Sequence, residues 1–396
     1  MISRIEALQH IAAMPPIDEV ESIPLQAGIG RTLAEPVVAR HTHPPENMSA
    51  MDGYATRIED CTLGNSLAVI GEAAAGHPFG GTIGAGACVR VFTGSVIPDG
   101  ADHVIIQEDV ERTGDKITIR HPQGPSRHIR AAGVDFQSGD VLIPEGQRLS
   151  ARQLSICAAA NLADLQAYRP PRVALLANGD ELRPPGSELG PGQIIASNEY
   201  SLTALIEAWG GSVINLGIAP DDPAEIRSRI ESADQADVFV PVGGASVGDH
   251  DHMKTVFADL GFEPVFSKVA VRPGKPTWMS RGANQLVLGL PGNPASALVC
   301  AHLFLKPLLA RLLGGAELET RIPAALQAPL RANGARESFL RGRIDFSESG
   351  ARVVTPAGNQ DSSLLSPFVT ANVLIHRAVN APACALGDVV DCILLD

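Results

Sequence analysis

Four short loops in this chain carry residue types that polar catalysis and anion binding use. The first, Asn178-Gly179-Asp180-Glu181-Leu182, puts two adjacent carboxylates directly after an apolar run. There they could act as acid, base or cation ligands, although a solvated turn uses the same residues. The second is Gly243-Gly244-Ala245-Ser246-Val247-Gly248-Asp249-His250-Asp251. Its glycines let backbone N–H groups approach an anion, and a helix N-terminus after it would add a favourable partial charge. The spacing fits neither the Walker A loop nor the dinucleotide fingerprint, so a phosphate cradle of another kind is the expectation. Asp249 and Asp251 could hold a hard divalent cation through oxygen, or cap the next helix. The third, Val271-Arg272-Pro273-Gly274-Lys275-Pro276, fixes two cations three residues apart between prolines, which suits an oxyanion. In the fourth, Leu290-Pro291-Gly292-Asn293-Pro294-Ala295-Ser296, a strand ends abruptly and a helix start offers free N–H groups beside the Ser296 hydroxyl.

The elements around these loops alternate. From Arg172 the pattern predicts strands at 173–177, 213–218, 238–242 and 286–289, and helices at 198–209, 223–233, near 252–260 and at 295–313. Such alternation implies a mostly parallel sheet whose ligands bind at the carboxyl ends of the strands, so the four loops should share one edge. Elsewhere the chain reads differently. Residues 3–13 form an amphipathic helix that stops at Met14-Pro15-Pro16, and 23–38 holds a short strand with a helical turn. From His41 to about Asp140 there is a small all-β module with strands at 67–70, 88–92, 103–107 and 116–119. A helix around 151–160 and the Tyr168-Arg169-Pro170-Pro171 step follow, and after Gly314-Gly315 the chain is again β-like, near 324–330, 339–346, 352–356 and 389–395. The fold class is α/β plus all-β modules in one multidomain chain.

Composition limits the partners. A chain of 396 residues needs two to four cores, and 45% apolar with 19% charged residues describes a globular protein. A net charge of −13 repels nucleic acid and anionic membranes, so an anionic ligand needs a local cationic pocket. The six cysteines form neither a CxxC pair nor a zinc-ligand spacing, which reads as buried thiols in a reducing compartment. The N-terminus lacks a signal-peptide block, no later stretch approaches an uninterrupted apolar membrane span, and a cytoplasmic location is expected.

Pro45-Glu46-Asn47-Met48-Ser49-Ala50-Met51-Asp52-Gly53-Tyr54-Ala55, together with the GDEL, GGxSxGxxD, PGKP and LPGNPxS loops, resembles the MoeA and gephyrin-E family of molybdopterin molybdenumtransferases. The match is collinear from about residue 3 to residue 390. The resemblance implies a four-part chain: a MogA-like α/β domain (1–18 and 169–316), an extended linking and dimerisation segment (19–42 and 140–168), a small β domain (43–139) and a C-terminal β-barrel (317–396). It implies a homodimer whose active cleft lies between the α/β domain of one subunit and the small β domain of the other, so that Asp52 reaches across; a cap in a Met-Asp-Gly turn is the plainer role for that residue. The implied reaction joins molybdate to adenylylated molybdopterin with magnesium and releases AMP, with a MogA-like adenylyltransferase as the delivery partner.

By motif match, Asp251 and Asp221 hold the magnesium, and Ser246 with the Gly243, Gly244 and Gly248 backbone binds the pterin phosphate or the AMP part. Arg272, Lys275 and Ser296 hold oxyanion, helped by the Pro291, Gly292, Asn293 and Pro294 turn. Asp52, Thr93, Asp135, Asp180 and Glu181 match further positions tied to activity, and Arg341 of the RxxFxRG strand with Ser362 and Ser363 completes the molybdate site. The chain departs from the family at Asn178, where Thr or Ser is common, at Pro241 and Val242, where hydroxyl residues are common, and at Arg272, where Lys is commoner. Competing readings are a paralogue that prefers tungstate or turns over slowly, and a non-catalytic scaffold.

Overall fold

The computed structural model describes residues 1–244, 252–315 and 320–395. Its central sheet has the strand order Ser212–Ala219, Arg172–Asn178, Val238–Val242, Leu286–Gly289, Trp278–Arg281, Glu263–Phe266. The first four strands are parallel, and Trp278–Arg281 runs against both of its neighbours. Side chains alternate across a strand, and here both faces are apolar: Val173, Leu175, Val238 and Val240 enter one core, while Ala174, Leu176 and Phe239 enter another. Helices Asn198–Ala208 and Pro294–Cys300 cover the first face; Pro223–Glu231 and His252–Asp259 cover the second through Ile226, Ile230, Met253 and Phe257.

The N-terminal helix Arg4–Ala12, started by a Ser3–Glu6 capping box, adds Ala7 and Ile11 to the first core. Ile2 ties it to the sheet domain by donating its N–H to Lys268 O at 3.0 Å and accepting from Ala270 N at 2.8 Å. The expected helix at 295–313 is a continuous run of three pieces, Pro294–Cys300, a π-helical turn Ala301–Leu305 and Lys306–Leu312. This 19-residue run is long and apolar enough to cross a membrane by length and mean hydropathy, but Lys306 and Arg311 interrupt it and 67% of its most apolar window is buried inside the protein. It supplies Leu303, Phe304, Leu308 and Leu309 to the first core, which accounts for its composition.

Two short ladders, Val20–Pro24 with Asp164–Tyr168 and Val37–Val38 with Val141–Ile143, join chain segments more than a hundred residues apart. Between them the chain folds a six-stranded sheet ordered His103–Ile106, Gly53–Thr56, Ala87–Val91, Ser66–Ala73, Lys116–Ile119, Val110–Thr113. The C-terminal strands Glu337–Phe346, Arg352–Pro356, Arg321–Leu326, Val389–Leu394 and Val373–Arg377 pair in sequence around a closed ring, since the last also bonds the first. Closure removes exposed strand edges and makes this region a five-stranded barrel. The short strand Val271–Arg272 pairs in parallel with Glu337 and Ser338, so the cationic turn leaves the sheet domain already bonded to the barrel.

Candidate functional site

Two clefts meet at the carboxyl edge of the parallel strands. One, of about 640 Å³, is lined by Asn178, Glu181, Gly243, Gly244, Pro291, Gly292 and Asn293, with Ile194, Ile195, Asn198 and Ser363. Its floor is backbone. Gly243 and Gly244 have φ of +97° and +61°, and a Cβ on either would fall 2.6 Å from Asn178, from its carbonyl O and its Oδ1 respectively. Only glycine fits this double approach. Asn178 is buried and donates its Nδ2 to the Ala219 and Pro220 carbonyls at 3.3 and 3.0 Å, so its side chain fastens adjacent strand ends. Gly292 is drawn in by Asn198, whose Nδ2 donates to its carbonyl at 2.8 Å.

The second cleft, of about 870 Å³, shares Pro276, Pro291 and Asn293 with the first. Arg272, Lys275, Arg331, Arg336, Arg341 and Arg377 line it, with Ser296, Ser362 and, among the described residues, one acid, Asp361. In a chain of net charge −13 this is a concentrated reversal of sign. Arg272 and Lys275 are exposed, and neither has an acidic side chain within ion-pair range among the described residues. The turn between them is fixed from below: Thr277 donates its N–H and its hydroxyl to Gly274 O at 3.1 and 2.8 Å, and a Cβ on Gly274 would lie 2.2 Å from Cys300 Sγ.

Arg341 lines the cationic cleft and also fastens the loop beside it. Its buried guanidinium donates to the Leu364, Asp361 and Asn359 carbonyls at 2.7, 2.9 and 3.4 Å, and burial lowers its pKa. It therefore shapes the loop that presents Ser362 to the cationic cleft and Ser363 to the other. The helix start at Pro294 also offers less than expected, because proline has no N–H and Ala295 N–H already donates to Ser362 O at 3.0 Å. Asn293 Nδ2 donates to Ser362 Oγ at 3.1 Å, tying the turn to the same barrel loop.

The carboxylates divide. Glu181 lines the backbone-floored cleft, whereas Asp180 lies outside its lining and accepts the Asp221 N–H at 3.1 Å, which brings these two acids together. Among the described residues no three His, Cys, Asp or Glu side chains cluster closely enough to enclose a metal. Asp52, Thr93 and Asp135 line neither cleft within one chain. Asp52 Oδ1 accepts from Thr93 N and Oγ1 at 2.8 and 3.0 Å, and these bonds, with the Arg90 charge, hold its pKa below the usual carboxylate range. Asp135 is exposed and donates its N–H to His43 O at 3.2 Å. Ser246, Gly248, Asp249 and Asp251 lie outside the described residues. The sequence reading missed Asn198, Arg331 and Arg377; Asn198 was detectable as a helix start at the ligand-binding edge, while the two arginines arrive only through barrel closure.

Comparison with known proteins covers the whole of this architecture. Residues 2–161 match the MoeA N-terminal region (domain I and II), 174–311 the probable molybdopterin binding domain, and 323–395 the MoeA C-terminal region (domain IV). The molybdopterin molybdenumtransferase of Haemophilus influenzae is 36% identical over 90% of this chain and 89% of its own length. The chain belongs to the molybdopterin molybdenumtransferase family. The enzyme of that name from a Nostoc species is 34% identical over 90% of this chain and 84% of its own length. The crystal structure of a molybdopterin biosynthesis MoeA protein from Pyrococcus horikosii superposes with a TM-score of 0.82 at 31% identity, covering 100% of this chain and 99% of that one. The family resemblance read from the PENMSAMDGYA run and the loop motifs therefore holds, as does the α/β-plus-all-β fold class.

Proposed function

We propose that this chain completes molybdenum cofactor by placing molybdate on adenylylated molybdopterin, with cleavage of the phosphoanhydride and release of AMP. The observation that carries the reading is the junction of the two clefts at Pro276, Pro291 and Asn293: one is floored by close-approaching backbone, the other walled by cations. A molybdate dianion suits the Arg272, Lys275 and Ser296 wall, and the pterin or AMP part suits the glycine floor at Gly243 and Gly244. The Pro291-Gly292-Asn293-Pro294 turn lies between them, and Arg341 acts by holding Ser362 and Ser363 in place. Glu181 faces the bound substrate and serves as its acid or base partner.

Magnesium fits the donor set at the edge of the glycine-floored cleft, which Glu181 and Glu199 line without a balancing cation among the described residues. The Asp180 carboxylate accepts the backbone N–H of Asp221, so both acids stand at the same strand ends, and such a cation takes only one or two carboxylates when substrate phosphates complete its shell. Asp221, with Asp251 from outside the described residues, would hold it, and when bound it neutralises charge on the phosphoanhydride. The protein works as a homodimer in the cytoplasm, receiving substrate from a MogA-like adenylyltransferase. Asp52, Thr93 and Asp135 then belong to the cleft of the opposite subunit, and the four-part division at 1–18 with 169–316, 19–42 with 140–168, 43–139 and 317–396 describes the chain. The test is incubation of the purified protein with adenylylated molybdopterin, magnesium and molybdate. AMP release that depends on molybdate is expected; its absence at any enzyme concentration overturns the transferase reading in favour of a scaffold, and release with tungstate alone indicates a changed oxyanion preference.

A further inference from the structure

We propose that Arg90 is the positioning residue for Asp52, clamping the turn that carries this carboxylate so that it meets the opposite cleft already oriented. The inference rests on the proposed function, because it takes Asp52 as a group that acts on substrate. Arg90 stands on strand Ala87–Val91 directly opposite Tyr54 in the antiparallel register. Its guanidinium carbon lies 5.1 Å from the Tyr54 ring centroid and 4.9 Å from that of Phe92, so the cation rests against both aromatic rings.

From that position its donors reach both sides of Asp52. Nη1 donates to Gly53 O at 3.4 Å, and Nη2 donates to Gln107 Oε1 at 2.6 Å. Gln107 in turn donates its backbone N–H to Asp52 O at 3.1 Å. The carboxylate itself is gripped through Oδ1 by Thr93, two residues beyond the end of the Arg90 strand, at 2.8 and 3.0 Å from N and Oγ1. Among the described residues Oδ2 accepts no hydrogen bond, which leaves it for a ligand. The backbone has no slack either, since a Cβ on Gly53 would lie 2.0 Å from Ile105 O on the neighbouring strand. Arg90 forms no ion pair among the described residues, so its charge remains available to the nearby Asp52.

The experiment is steady-state AMP release by the full chain across pH, for wild type, Arg90→Gln, Arg90→Lys and Asp52→Asn, with melting temperature measured alongside. Arg90→Gln should lower kcat about tenfold with KM changed less than about twofold, because the loss is one of orientation. Its acid limb should move to higher pH as Asp52 loses a nearby positive charge. Arg90→Lys should restore the acid limb but only part of kcat, since an ammonium cannot reproduce the planar fork. Normal kcat and pH profile in Arg90→Gln, with Asp52→Asn impaired, overturns the role of Arg90 and leaves the proposed function standing. A kcat loss that merely follows the folded fraction, with the acid limb unmoved, also overturns it. Full activity of Asp52→Asn removes instead the reading of Asp52 on which the inference rests.

Discussion

The two clefts share a wall at Asn293 but are built from different materials. The smaller is floored by backbone: Gly243 and Gly244 pack against Asn178 with no room for a side chain, and a Cβ on Gly292 would lie 3.3 Å from Gly243 Cα. The larger is made by side chains, six of them Arg or Lys, brought from the sheet domain and the barrel. A backbone-built site is damaged by added atoms, whereas a side-chain-built site is damaged by removed charge. The same substitution logic therefore cannot serve both, and variants should separate the two binding functions.

The sharpest separation comes from the cationic turn. Replacing Arg272 and Lys275 together by Ala should weaken molybdate binding about 100-fold by calorimetry, on the order of 2.7 kcal/mol, while leaving AMP binding within about twofold. Equal losses for both ligands would break the comparison. Gly243→Ala should do the reverse. With φ at +97° and a Cβ 2.6 Å from Asn178 O, it should cost about 2 to 3 kcal/mol of stability and weaken AMP binding about 20-fold, with molybdate affinity little changed in the folded fraction. Arg341→Leu joins the two regions, because it frees the loop bearing both serines and takes the guanidinium partner from the Leu364, Asp361 and Asn359 carbonyls. Both affinities should fall about fivefold, and chemical denaturation should show a loss of about 2 kcal/mol.

The smallest effect concerns the barrel's attachment. Glu337 accepts from His376 Nε2 at 2.7 Å and from Arg4 Nε at 3.2 Å. Burial alone would raise its pKa, but the His376 bond and the Arg4 charge outweigh this and lower it. A depressed carboxylate stabilises the fold above its unfolded pKa and loses that contribution as pH falls through the folded value. The melting temperature of Glu337→Gln should accordingly lie below wild type at neutral pH, and the two should converge in acid below the ordinary carboxylate range. A gap that widens in acid would contradict this assignment.

Much of this arrangement was legible in the sequence because loops at strand ends announce themselves. Val238–Val242 is apolar throughout and stops at Gly243-Gly244, and Leu286–Gly289 stops before Pro291-Gly292, so strand, loop and ligand edge could be read together. Strands without such contrast escaped notice. Gly53–Thr56 is buried at all four positions and shows no alternation, and Trp278–Arg281 is short and directly follows a proline-rich turn. The cationic cleft was only half visible. Arg272 and Lys275 are neighbours in the chain, but Arg331 and Arg377 meet them through barrel pairing that no local pattern encodes. The role of Arg341 was hidden for the same reason, since its partners are carbonyls of a loop about twenty residues downstream.

The most direct test of the central claim, that an oxyanion sits against the cationic wall beside the glycine-floored cleft, is anomalous scattering from crystals of the protein soaked with tungstate. The account predicts a tungsten peak in the larger cleft within hydrogen-bonding reach of Lys275 and Ser296, lost in the Arg272→Ala, Lys275→Ala protein. A peak over Gly243 and Gly244, or one that survives removal of both cations, would contradict it.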